Sequence, residues 1–110
     1  MKRLLVAVIG VAVALAFSLP ALAQDAAKGE QVFAAQNCKM CHAIKGVGNK
    51  AHPLDGVGAK LKADQIKEWI TTPKVAAEKA KSTAKPPMKA YDKLSKADLD
   101  ALVAYIESLK

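Results

Sequence analysis

The sequence predicts a small all-α domain, and three observations support that fold class. The 110 residues are 52% hydrophobic and 25% charged, which suits one ordinary globular domain and excludes a multidomain enzyme, a disordered chain or a disulfide-dense scaffold. The middle of the chain divides into helical segments and loops that contain glycine and proline, without strand-like alternation. Near the C-terminus, apolar residues recur with the helical period at Leu99, Leu102, Val103, Ile106 and Leu109.

The N-terminus has the features of a secretory signal. Lys2 and Arg3 precede an apolar run over residues 4–17, and the small-residue sequence Ala-Leu-Ala follows at positions 21–23. The run is shorter than the ~20 residues that a membrane-spanning helix needs. We therefore expect a signal peptide over 1–23, cleaved before Gln24, and one domain over 24–110. An uncleaved membrane anchor is the alternative.

The mature chain is expected to carry a net positive charge. Loss of Lys2 and Arg3 reduces the 17 basic residues to 15 against 10 acidic ones, which leaves a net charge of +5. The lysines are interspersed with acidic and apolar residues and form no run of five or six. This pattern indicates a solvated surface that attracts an acidic partner, and we expect no binding to nucleic acid.

The first helix is predicted over residues 26–37, with Asp25 as its N-cap. Gly29 and Phe33 lie one turn apart on the same face of this helix. A glycine inside a helix costs ~0.5–1 kcal/mol relative to alanine. Gly29 is therefore either a point of close approach by another helix or a tolerated surface residue.

The middle of the chain is predicted to contain a loop and two shorter helices. Residues 45–60 form the loop, because four glycines and a proline interrupt them. Residues 63–71 carry one apolar stripe and predict a helix that ends at Pro73. The lysine-rich residues 75–82 predict a short helix on the surface.

The segment before the last helix is predicted to be an extended loop. Two consecutive prolines within residues 85–91 exclude a helix there, and the loop presents Met88. The last helix begins at Ser95, the predicted N-cap, and Asp98 stands where a capping box places its acid.

Cys38, Cys41 and His42 form a C-x-x-C-H motif, which is typical of covalent haem attachment. Each thiol can bond one haem vinyl group, and the adjacent histidine can present its imidazole to the iron. A thioredoxin-like redox pair would need a strand before Cys38, and the sequence predicts none. A structural zinc site would need a fourth ligand, and His52 is the only histidine or cysteine outside the motif. A structural disulfide would not explain His42. We therefore predict one covalently bound haem c with its iron.

With these motifs, the chain resembles the class I c-type cytochromes over residues 24–110. In that family the first helix carries a glycine and an aromatic residue one turn apart, as at Gly29 and Phe33. The last helix carries a leucine and a tyrosine three residues apart, as at Leu102 and Tyr105. The resemblance implies that these helices cross and that three to five helices wrap around one haem. The haem would supply apolar core that so short a chain does not provide by itself. Apolar positions expected to face the haem or the helix interface are Leu54, Leu61, Ile66, Trp69, Ile70, Tyr91, Leu99 and Ile106.

The resemblance also implies further site residues. Pro53 matches the proline whose carbonyl accepts a hydrogen bond from the proximal histidine, and Leu54 matches a residue that packs on the haem. Met88 matches the sixth iron ligand, with core packing of this methionine or ligation by His52 as alternatives. Trp69 either donates its indole N–H to a haem propionate or packs in the core.

A carrier of single electrons, not an enzyme, is the function that the resemblance implies. Two axial ligands leave no vacant coordination position for a substrate. We expect a monomer that moves electrons between redox proteins in a bacterial periplasm, without stable membrane insertion after signal cleavage. Acidic partners would dock on a positive rim that consists of Lys39, Lys45, Lys85 and Lys89. The alternative is that these lysines form an ordinary solvated surface. The alternative is a haem-based ligand-binding or sensing protein, or a weak peroxidase, in which Met88 is absent or labile.

Overall fold

A computed structural model describes residues 21–110, so residues 1–20 of the predicted signal peptide lie outside the described part of the chain. Helices dominate this part, which confirms the predicted fold class. No helix within it is long and apolar enough to cross a bilayer. The helices are α1 (Ala21–Ala35), a 3₁₀ turn (Cys38–Met40), α2 (Val57–Lys60), α3 (Ala63–Thr71), α4 (Pro73–Ala80) and α5 (Lys96–Glu107). The short strands are β1 (His42–Ile44), β2 (Val47–Gly48) and β3 (His52–Pro53).

The first and last helices pack against each other and form the centre of the core. Gly29 is buried, and a Cβ atom there would lie 2.5 Å from the Tyr105 Cβ and 2.7 Å from the Ala101 carbonyl carbon. The rings of Phe33 and Tyr105 meet edge to face with centroids 5.8 Å apart. Close approach by α5 therefore explains Gly29, and the surface-residue alternative is wrong. The buried cluster consists of Val32, Phe33, Ile44, Ile66, Ile70, Leu99, Leu102, Val103 and Ile106.

The start of α1 differs from the prediction. The described part of α1 is helical from Ala21 onward, so Asp25 lies inside the helix and does not cap it. Alanine, leucine and glutamine precede Asp25, and all three are good helix formers that favour an upstream extension. The helix ends at Ala35, and Asn37 adopts a left-handed conformation with φ 56° that turns the chain into the 3₁₀ segment.

A small sheet occupies part of the predicted loop 45–60 and corrects the expectation of helices and loops alone. The strand order is β2-β1-β3, with β2 antiparallel and β3 parallel to β1. Lys45 and Gly46 join β1 to β2 with φ values of 51° and 78°, as a two-residue hairpin turn requires. Strands of two or three residues are too short to give the alternation on which a strand prediction depends.

Helices α3 and α4 agree with the prediction except for the residue at which α4 begins. The predicted helix over 63–71 is confirmed, and its apolar residues Ile66 and Ile70 are buried. Helix α4 begins at Pro73, earlier than predicted, because proline suits the first helical position as well as it terminates a preceding helix. An ion pair of 2.7 Å between Glu68 and Lys79 joins the two helices.

The last helix begins where the sequence predicts. The Ser95 hydroxyl accepts a hydrogen bond of 3.1 Å from the Asp98 amide, which confirms this N-cap. The Asp98 carboxylate lies 3.6 Å from the Lys28 ammonium group of α1, so this acid connects the two terminal helices. Before α5, residues 82–94 contain neither helix nor strand, as predicted for the proline-containing loop.

Candidate functional site

An apolar pocket opens between the helix pair α1–α5, helix α3 and the loop that carries Met88. Almost all of the lining is apolar, and the lining side chains that carry a polar group are those of Cys38, His42, Trp69 and Tyr91. The wall consists of Phe33, Cys38, His42, Leu54, Val57, Leu61, Ile66, Trp69, Ile70, Met88, Tyr91, Leu102 and Ile106.

His42 is held at the pocket wall by the small sheet. Its Nδ1 lies 2.9 Å from the backbone carbonyl oxygen of His52, its partner in the parallel register of β1 and β3. Because a carbonyl only accepts, Nδ1 must carry the hydrogen, which leaves the neutral ring with a free lone pair on Nε2. Burial lowers the pKa of His42, so the neutral form is favoured. This ring is prepared to act as a metal ligand.

The hydrogen-bond acceptor of His42 differs from the one expected. The family resemblance implied the Pro53 carbonyl, whereas the structure has the His52 carbonyl, one residue earlier. The register explains the difference, because His42 pairs with His52 while Ala43 pairs with Pro53. Pro53 is exposed and does not line the pocket. Leu54 does, and its amide donates a hydrogen bond of 2.8 Å to the Ala43 carbonyl.

The two cysteines occupy different environments at the start of the motif. Cys38 lines the pocket, and burial raises its pKa to about 11. Cys41 is exposed and does not line the pocket. The two cysteines form no disulfide with each other, and the 3₁₀ turn closes with a hydrogen bond of 3.2 Å from the Cys41 amide to the Cys38 carbonyl. Only one of the two predicted attachment thiols therefore faces the pocket directly.

The loop before α5 brings Met88 to the same pocket that His42 lines. Met88 is half-buried against the core, whereas Met40 is 73% exposed. His52 does not line the pocket, and its Nε2 lies 3.3 Å from the Lys85 carbonyl oxygen. Trp69 lines the pocket. The thioether and the imidazole thus share one cavity, while the rival histidine is engaged outside it.

Sequence reasoning missed Val57, which lines the pocket at the start of α2. The neighbouring glycines made the short helix difficult to predict, because glycine is typical of turns. Gly56, directly before the helix, does adopt a turn conformation with φ 75°. A signal was nevertheless present. Leu54, Val57 and Leu61 stand at helical spacing, and all three line the pocket.

The residues of the pocket fit a haem. The apolar wall of the cavity matches the hydrophobic faces of a porphyrin, and it offers one neutral imidazole and one thioether, which are axial ligands that c-type iron takes. A thiol stands at the rim of the same cavity, four residues before the imidazole in sequence. Neither a substrate carboxylate nor a phosphate would find a cationic partner on this wall.

Comparisons with known proteins agree with this chemistry. The sequence profile of the family described as Cytochrome c matches residues 26–110. Cytochrome c6 of Picosynechococcus sp. is 46% identical over 71 residues, which cover 64% of this chain and 55% of that protein. Cytochrome c oxidase subunit 2 of Alkalihalophilus pseudofirmus is 31% identical over 92 residues, which cover 76% of this chain and 25% of that protein. The chain thus spans about half the length of the first relative and a quarter of the second. No solved structure matches it significantly.

Proposed function

This chain belongs to the cytochrome c family as a class I c-type cytochrome, and we propose that it carries single electrons between redox proteins of a bacterial periplasm. One observation carries the proposal: His42 and Met88 line the same apolar pocket. The proposal includes export through residues 1–23, cleavage before Gln24 and a monomeric domain over 24–110.

The chain would hold one haem c through four side chains. Cys38 and Cys41 would form the thioether links, and His42 and Met88 would be the axial ligands. Leu54 and Trp69 would pack on the haem from the pocket wall, with Pro53 of β3 next to Leu54 in the chain. When bound, the haem supplies a one-electron ferric/ferrous couple.

The protein's own groups favour the reduced state. The nearly complete apolar lining disfavours net charge in the pocket. The thioether of Met88 is a neutral, soft ligand that adds no charge to the site. The hydrogen bond from His42 Nδ1 to the His52 carbonyl keeps the proximal ring in one orientation and one tautomer. Because His42 and Met88 would both remain bound to the iron, electron exchange would need no change of ligand.

Met88→Ala tests the ligation, and Met40→Ala is its matched control. Both variants remove one thioether, but Met88 lines the pocket and Met40 is 73% exposed. We expect only Met88→Ala to abolish the sulfur-to-iron charge-transfer band of the ferric protein, to open the reduced iron to carbon monoxide and to lower the reduction potential. An unchanged spectrum and potential in Met88→Ala would overturn the carrier assignment and favour a ligand-binding or peroxidatic protein.

Mass spectrometry of the exported protein tests attachment and processing together. We expect one haem mass on a chain that begins at Gln24, when the host can attach haem. Loss of Cys38 or Cys41 by substitution with serine should remove one thioether link. A product with the bare peptide mass, or one that retains residues 1–23, would contradict the corresponding part of the proposal.

A positive surface is proposed to receive the acidic partners. Lys39, Lys45, Lys85 and Lys89 are exposed, and the Lys89 ammonium group lies 5.8 Å from the ring centroid of Tyr91, a residue of the pocket wall. Electrostatic attraction of this kind raises association rates and is screened by salt. We expect Lys89→Glu to slow electron transfer to an acidic partner at low ionic strength, more than Lys28→Glu on α1 does. Equal effects of the two substitutions would indicate that net charge alone matters.

A further inference from the structure

His52 contacts both segments that carry the proposed axial ligands. Its backbone carbonyl accepts the hydrogen bond of 2.9 Å from His42 Nδ1. Its ring Nε2 lies 3.3 Å from the backbone carbonyl oxygen of Lys85, three residues before Met88. Because a carbonyl only accepts, Nε2 must be the donor in this second bond. One residue thus joins the proximal strand to the Met88 loop.

We propose that His52 is a positioning residue that holds the Met88 loop against the proximal strand and so resists detachment of Met88 from the iron. This inference rests on the proposed ligation by His42 and Met88. The role requires the ring N–H of His52 as a hydrogen-bond donor and does not require His52 to contact the haem, since His52 lies outside the pocket wall.

The Met88 loop depends on few regular contacts, which gives this bond its importance. Residues 82–94 contain neither helix nor strand, so no repetitive backbone ladder fixes the loop. On the C-terminal side of Met88, the Tyr91 amide donates a hydrogen bond of 2.8 Å to the Ile70 carbonyl of α3. On the N-terminal side, the loop is joined through Lys85 to His52. Met88 therefore lies between two attachment points, and His52 supplies one of them.

Loss of the His52 donor should increase the fraction of molecules in which Met88 is detached. An external ligand binds only that open fraction, so its apparent dissociation constant falls as the open fraction rises. A single net hydrogen bond corresponds to about a two- to tenfold change in such an equilibrium. The His52–Lys85 bond is long and exposed, so we expect about two- to fivefold, the lower part of that range.

Imidazole titration of the ferric holoprotein measures this quantity directly. We expect His52→Ala to bind imidazole about two- to fivefold more tightly than the unmodified chain. His52→Gln keeps an amide N–H donor at similar reach and should restore part of the difference. Ser108→Ala is the matched control, because the Ser108 side chain also donates to a backbone carbonyl, that of Tyr105, at the C-terminal end of α5.

The outcomes separate this inference from the proposed function. If His52→Ala leaves imidazole affinity unchanged, or if Ser108→Ala raises it equally, His52 is not a positioning residue for Met88. If His52→Ala lowers the unfolding midpoint without changing the imidazole affinity, His52 has only a general structural role. If Met88→Ala itself binds imidazole no more tightly than the unmodified chain, the proposed ligation fails, whatever the His52 variants show.

Discussion

The contact between α1 and α5 at Gly29 makes a quantitative prediction. An alanine Cβ at this position would lie 2.5 Å from the Tyr105 Cβ, 2.7 Å from the Ala101 carbonyl carbon and closer still to the Ala101 carbonyl oxygen. Two of these atoms belong to the α5 backbone, so a change of side-chain rotamer cannot relieve the overlap. Gly29→Ala must therefore force the two helices apart.

The expected size of the effect follows from two opposing terms. Alanine improves helix propensity by about 0.5–1 kcal/mol. Overpacking a filled core costs about 1–3 kcal/mol, and a backbone partner places this site near the upper end. The net loss of unfolding free energy is then about 2 kcal/mol. In a domain of this size, that loss lowers the unfolding midpoint by roughly 8–16 °C.

Thermal and denaturant unfolding of the holoprotein, followed by far-ultraviolet circular dichroism, measures this loss. The control is Ala27→Gly, an exposed position of the same helix, where only the propensity term of about 0.5–1 kcal/mol is lost. The two variants exchange the same residue types in opposite directions. A Gly29→Ala variant as stable as the unmodified chain, or more stable, would refute the close approach of α5 at this residue.

Three further predictions concern single contacts. Gly58→Ala should destabilise the fold by about 1–3 kcal/mol in the same unfolding assay, because its Cβ would lie 2.6 Å from the Glu107 carbonyl carbon at the end of α5. Ser95→Ala should cost about 1 kcal/mol through loss of the bond from the Asp98 amide, and Ser95→Gly only a few tenths, so equal losses would contradict the cap. Trp69→Phe keeps an aromatic ring on the pocket wall but removes the indole N–H. An unchanged reduction potential across pH in Trp69→Phe would favour packing over a propionate hydrogen bond as the role of Trp69.

Local signals made the helical elements of the fold predictable. The cap at Ser95 was readable because its partner, the Asp98 amide, lies three residues away. The same limit explains the failure at Asp25, where a good capping residue follows good helix formers and lies inside the helix. Sequence shows which residues can cap, whereas the surrounding chain decides whether a helix begins there.

The site was predictable as a set of chemical groups and less so as an arrangement. The pocket gathers Cys38, His42, Leu54, Trp69 and Met88, all predicted site residues, but leaves Cys41 and Pro53 outside its wall. Val57 joined it unpredicted, because its short helix lies within a glycine-rich segment. Cys41 and Pro53 are both exposed to solvent, and the motif alone did not show which way their side chains lie.

The sequence by itself determined the fold class, the attachment motif and the periodic face of the last helix, because each depends on residues within one or two turns of one another. Only the tertiary structure decided that His42 donates to the His52 carbonyl, that His52 reaches Lys85 and that Gly29 meets Ala101. These contacts join residues 10, 33 and about 70 positions apart. Their geometry depends on strand register and helix packing, which become defined only when the whole chain is folded.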